Sequence, residues 1–179
     1  MLSAHDVARE LRRRLPDAGD LKIHKLVYYC QSWHVTWLGE PMFHERLEAW
    51  ANGPVVADLW HDERGNRPRP AEGPLGDQHL AVVDYVVSRY GRHSGAELAR
   101  MTHLEDPWRE VSEADSGFRV ANPEITVDRL IAWFSADEEY LAHQKELAQL
   151  IGRRDARRSE GEASEALDEA TLRALAQQR

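Results

Sequence analysis

The stretch that decides the fold is Leu21-Lys22-Ile23-His24-Lys25-Leu26-Val27-Tyr28-Tyr29-Cys30-Gln31-Ser32-Trp33-His34, followed by Gly39-Glu40-Pro41 and by Glu48-Ala49-Trp50-Ala51-Asn52-Gly53-Pro54-Val55-Val56. Asp20 is placed to cap a helix, and Gly39 and Pro41 to stop it. Leu26, Cys30, Trp33 and Trp37 recur at helical spacing and line one face, with Lys22, Lys25, Tyr29, Ser32 and Thr36 on another. The pattern predicts an amphipathic helix with an unusually wide apolar face. From Met42 to Trp50 the period changes. Phe43, Glu45, Leu47 and Ala49 alternate, which predicts a short strand or hairpin arm within 42–52. Gly53-Pro54 then reads as a helix start, because proline at the first helical position gives up only an amide that has no partner there.

Outward from this block the signals are helical. Ser3 and Asp6 form a capping box of the Asp type ahead of Val7, Leu11 and Leu15, and Pro16 closes that helix. The segment 62–77 is rich in glycine, proline and charge, and reads as a loop. Leu80, Val83, Val86, Val87 and Tyr90 mark the next helix, ended by Gly91. Ser94 with Glu97 caps another, Asp106-Pro107-Trp108 opens a short one, and Val127, Leu130, Ile131, Trp133 and Phe134 make a further apolar stripe. Ser135 with Glu138 would cap a helix from Ala136 to about Arg154, and Leu167, Ala170 and Leu175 a weak final one. The expected fold is mainly α. A compact multi-helix domain over 1–135 carries a small hairpin, and 136–179 form a helical, partly flexible C-terminal extension.

The bulk numbers bound the function. A chain of 179 residues, 42% hydrophobic and 30% charged, has the composition of a globular protein with a real core. Its net charge of -8 opposes nucleic-acid binding, which runs on neutralising phosphates with Lys and Arg. Arg12-Arg13-Arg14 and the pairs Arg153-Arg154 and Arg157-Arg158 read as solvated helix faces. A single cysteine, Cys30, excludes an internal disulfide, no apolar run spans a bilayer, and Met1 to Asp6 lack a leader pattern. The expectation is a cytoplasmic protein with no membrane association.

Four ordered segments carry a family resemblance: Lys25 to His34; Gly39-Glu40-Pro41-Met42-Phe43; Glu48 to Val56; and Leu98-Ala99-Arg100-Met101-Thr102-His103-Leu104-Glu105-Asp106-Pro107-Trp108. Together they resemble the Panacea domain of SocA-like antitoxins, found in phage-associated proteins. The resemblance implies a mainly helical domain without catalytic activity or cofactor that neutralises a cognate toxin by protein–protein contact. In one pattern of the family the toxin is delivered to an ATP-dependent protease. The family's toxins are unrelated to one another, so the resemblance names none. It marks Lys25, Tyr28, Gln31, Trp33, His34 and His103 as the motif core. The chain departs from the pattern at Cys30, where a small residue such as alanine is usual, in the proline-rich insertion 64–76, and in everything after Phe134.

The residues weigh packing against chemistry. Trp33 and Trp37 read as core aromatics. Trp50 and Trp60 flank a turn and a loop and are better placed as interface anchors; with Gly53, Pro54 and Trp108 they form the candidate partner-binding set. Histidines at 24, 34 and 44 near Glu45 and Glu48, and His103 near Glu105, raise a metal-dependent hydrolase as an alternative, yet no His-Glu-x-x-His spacing supports it. His34 is expected to bond Gln31 or backbone in a half-buried site. Cys30 shares a helix face with His34, but its apolar stripe predicts an inert thiol. A phage or mobile-element interaction module without a toxin is the other alternative.

Overall fold

The computed structural model describes residues 2–67, 69–70, 73–114, 122–137, 141–142, 144–154, 156–157 and 159. The fold is mainly helical: α1 (Ala4–Arg14), α2 (Asp20–Leu38), a hairpin of β1 (Leu47–Trp50) and β2 (Gly53–Val56), then α3 (Ala57–Arg64), α4 (Asp77–Tyr90), α5 (Gly95–His103), α6 (Asp106–Ala114) and α7 (Val127–Ser135). A helical run over 144–154 follows.

Helix α2 is the axle. Helices α1, α4, α5 and α7 and strand β2 all pack on it. Every residue from Ile23 to Val35 is buried. The expected amphipathic helix is therefore corrected: the polar row with Lys25, Tyr29 and Ser32 is as inaccessible as the apolar one. A helix enclosed on all sides need not be apolar throughout, provided each polar group finds a partner. Ser32 donates to the Tyr28 carbonyl at 2.8 Å, and Thr36 to the Ser32 carbonyl at 2.7 Å. The aromatics interdigitate: Trp33 stacks on Trp37 at 4.6 Å and meets Phe134 edge-on at 5.0 Å.

The caps follow the sequence with one exception. Ser3 and Asp6 close a capping box on α1, and Ser94 and Glu97 close another on α5. Asp20 does not cap α2. Gly19 occupies that position, and the Asp20 carboxylate instead accepts from Arg12 of α1 at 2.9 Å. At the far end Gly39 adopts φ +78°, and a Cβ there would meet nothing within 4 Å. Gly39→Ala is thus expected to cost only the left-handed backbone term, about 1 kcal/mol, in a urea titration.

The hairpin lies where alternation placed it, but its second arm corrects the reading of Gly53-Pro54. These residues open β2, paired antiparallel from Leu47↔Val56 to Trp50↔Gly53, and the helix begins only at Ala57. The reason is local. Gly53 takes φ +93° after the Ala51-Asn52 turn, a conformation that ends a tight hairpin turn and cannot start a right-handed helix. The β-branched Val55 and Val56 then pair across the strands. The outer edge of β1 is covered by 123–125, where Ala49 N–H donates to the Pro123 carbonyl and Ile125 N–H to the Leu47 carbonyl.

Beyond α7 the helical run 144–154 returns to the body of the fold. Leu147 joins the core, Leu150 and Ile151 pack partly against it, and Arg154 pairs with Asp84 of α4. Glu138, Tyr140 and the weak final helix around Leu167 to Leu175 lie outside the described residues.

Candidate partner face and the motif core beneath it

The motif residues of α2 each reach out and hold a different segment of chain. Lys25 Nζ donates to the Pro54 carbonyl at 2.8 Å and so ties β2 to the axle. Tyr28 and Tyr29 donate to the two oxygens of the Glu105 carboxylate at 2.7 and 2.8 Å, fixing the junction of α5 and α6. The Gln31 amide nitrogen donates to the Phe43 carbonyl, and its oxygen accepts from the Met42 and Phe43 amides, so one side chain pins the turn before β1. Trp33 Nε1 donates to the Tyr90 hydroxyl of α4 at 3.0 Å. His34 Nδ1 lies 2.8 Å from the Glu40 carbonyl. His34 is fully buried rather than half-buried, and it bonds backbone rather than Gln31, whose amide is spent on residues 42 and 43.

Burial without a counter-ion perturbs two of these groups. Lys25 is wholly enclosed and has no carboxylate partner among the described residues; desolvation lowers its pKa to about 7. Glu105 has two neutral tyrosine donors and, among the described residues, no cation partner. Desolvation raises its pKa to about 7, against the opposing pull of the two hydroxyls. Cys30 is buried, and the same cause pushes its thiol well above the ordinary range.

Above this core three tryptophans meet. Trp50, from the end of β1, and Trp60, from α3, stand edge to face at 5.0 Å, and Arg64 lies 5.0 Å above the Trp60 ring. Trp108 of α6 donates its Nε1 to the Trp50 carbonyl at 2.9 Å, and stacks on His103 at 4.0 Å. All three tryptophans are half-buried, with exposed His61 beside Trp60. Gly53 and Pro54, by contrast, are buried against Lys25 and Thr102, so they shape the hairpin from beneath. His103 joins the group through Trp108, and its Nε2 is buried with no hydrogen-bond partner among the described residues.

The histidine and acid sets do not converge. His24 faces Glu63 at 3.4 Å, His34 stacks on His79, His44 lies 3.3 Å from the Leu2 carbonyl, and His103 lies under Trp108. Among the described residues no group of three histidine, cysteine or carboxylate side chains is placed to hold a metal ion. A polar cluster that the sequence did not reveal surrounds His5, with its two ring nitrogens 3.6 Å from Glu45 and 3.4 Å from Asp62. In the sequence Glu105 stands out only as a neighbour of His103. The signal for its real setting was the adjacent Tyr28-Tyr29 pair, whose hydroxyls need acceptors once the helix is enclosed.

The fold and this face define a helical domain organised around one enclosed axle, with a hairpin and a tryptophan cluster at its side. Residues 23–109, just under half of the chain, match the family model described as antitoxin SocA-like, Panacea domain. The matched stretch runs from α2 to the start of α6, with the hairpin and all three of these tryptophans inside it. No curated protein and no solved structure shows a significant likeness to the chain. The family supports a role of the toxin–antitoxin type and a protein partner. No helix among the described residues is long and apolar enough to cross a membrane.

Proposed function

We propose that this protein is an antitoxin that binds a cognate protein toxin directly, in the cytoplasm, through the face bearing Trp50, Trp60 and Trp108. The observation that carries the reading is the Trp50–Trp60 pair, held half-exposed within the family-matched segment by a hydrogen bond from Trp108. Rigid, partly buried tryptophans backed by a packed core are the usual energetic anchors of protein interfaces. A net charge of -8 favours a basic toxin by steering their encounter. The domain over 1–135 supplies this face, and the extension 136–179 adjusts the choice of toxin. Neutralisation proceeds by covering the toxin's working surface or by presenting it to an ATP-dependent protease. The toxin's abundance on co-expression separates the two modes, since only the second lowers it.

The test is growth of a bacterial host making the product of the adjacent gene, alone and with this protein. Arrest by the neighbour alone and rescue on co-expression support the reading. A neighbour that is harmless, or that stays toxic beside folded antitoxin, overturns it in favour of an interaction module without a toxin. With a toxin in hand, Trp60→Ala is expected to weaken binding by about 2 kcal/mol, roughly 30-fold, measured by calorimetry. Its fold should survive, because Trp60 lies at the rim of the core.

A further inference from the structure

A second feature lies away from the tryptophan face. Between the C-terminal end of α4, helix α5 and the end of α7 is a cavity of about 750 Å³. Its apolar walls come from Tyr90, Met101, Trp133 and Phe134, and its polar lining from Glu105 and Asp137 with Arg89, Arg92 and His93. Tyr29 stacks flat on Tyr90 at 3.9 Å behind that wall, so the aromatic surface is rigid.

The carboxylate is unusually placed. Both of its oxygens accept from tyrosine hydroxyls, each oxygen keeps a second lone pair, and no lysine, arginine or histidine pairs with it among the described residues. Glu105 is half-buried, and partly desolvating a carboxylate without a cation is costly, which two neutral donors only partly offset. The nearby arginines do not fill the role. Arg89 lies over the Tyr90 ring at 5.7 Å and 3.8 Å from Asp137. Arg92 stands exposed at the rim. An aromatic wall beside a carboxylate is the arrangement that recognises an organic cation, through charge at one end and ring faces along the stem.

We propose that this cavity binds a primary alkylammonium group, with the ammonium on the Glu105 carboxylate and the alkyl stem against Met101, Trp133 and Phe134. The lysine side chain of a protein and a free alkylamine share this chemistry. Arg92 at the rim opposes a second positive charge, so the site takes a single ammonium rather than a polycation. The inference stands apart from the toxin reading, because the Trp50–Trp60 face is neither needed nor tested by it.

Titration of the full chain with n-butylammonium chloride, followed by the indole NMR signal of Trp133, tests it. n-Butanol serves as the uncharged isostere, and Nα-acetyl-lysine methylamide as the protein-like ligand. Saturable binding by butylammonium and none by butanol is expected, with at least a tenfold loss in Glu105→Gln whose spectrum shows an intact fold. Arg92→Gln, an exposed change that leaves the core alone, is expected to tighten binding severalfold. Tighter binding of the lysine derivative assigns the site to a protein's lysine, and the reverse order to a free amine; either supports the site. No saturation, equal shifts with butanol, an undiminished response in Glu105→Gln, or no gain in Arg92→Gln overturns it.

Discussion

Gly53→Ala is expected to destabilise the domain by about 3–5 kcal/mol, several times the effect of Gly39→Ala. Two costs add. The backbone at residue 53 sits at φ +93°, a conformation that an L side chain occupies at a cost of about 1–3 kcal/mol. A Cβ would also stand 2.7 Å from Thr102 Oγ1, 3.0 Å from Lys25 Cε and 3.1 Å from Lys25 Nζ. Neither neighbour yields freely. Thr102 is buried and its hydroxyl donates to the Ala99 carbonyl at 2.9 Å. Lys25 is buried and committed to the Pro54 carbonyl. Overpacking of this kind costs about 1–3 kcal/mol more. Gly39 has the same sign of φ and open space, so it isolates the backbone term. Equal urea midpoints for the two variants would show that the hairpin shifts freely over α5. Trp50 pairs directly with Gly53 across the hairpin, so the proposed toxin contact should weaken with stability.

These residues also show how far the sequence could be read. Caps and terminators are local, and Ser3, Gly39, Ser94 and Gly91 announce them by residue type alone. The alternation from Phe43 to Ala49 gives one arm of the hairpin for the same reason. The second arm is not decided locally, because Gly-Pro serves equally at a helix start and in a turn. Only pairing with Leu47 to Trp50, a tertiary event, decides between them. The enclosure of α2 was hidden in a similar way. Lys25 and Tyr29 read as part of a second, polar face until their partners at Pro54 and Glu105 are known, and those lie 29 and 76 residues away. Of the candidate interface set, the meeting of Trp50, Trp60 and Trp108 was legible only as three separate aromatics near turns. Gly53 and Pro54 turned out to lie beneath that face.

Lys25→Met is expected to reverse sign with pH, stabilising the domain near pH 7 and destabilising it near pH 10. In the unfolded chain the amine titrates at its ordinary value of 10.5, and in the fold at about 7. Between those values the unfolded state binds the extra proton, so the stability contributed by the neutral amine is present above 10.5 and is lost as pH falls to 7. The loss over that window is about 4 kcal/mol. Methionine fills similar space without the titration, and leaves the Pro54 carbonyl unsatisfied at a cost of about 1–3 kcal/mol. The two curves therefore cross between pH 7 and 10. Urea titrations across that range check this, and parallel profiles for the two proteins would remove the argument. Glu105 acts in the adjoining window with the opposite slope. Its folded value of about 7 lies above its ordinary 4.5, so its contribution is complete below 4.5 and lost as pH rises to 7. The Lys25 penalty is complete below pH 7 and the Glu105 penalty above it, so their sum is largest near neutrality. What each group supplies against that penalty is position: Lys25 holds the Pro54 carbonyl of β2, and Glu105 holds the Tyr28 and Tyr29 hydroxyls at the junction of α5 and α6.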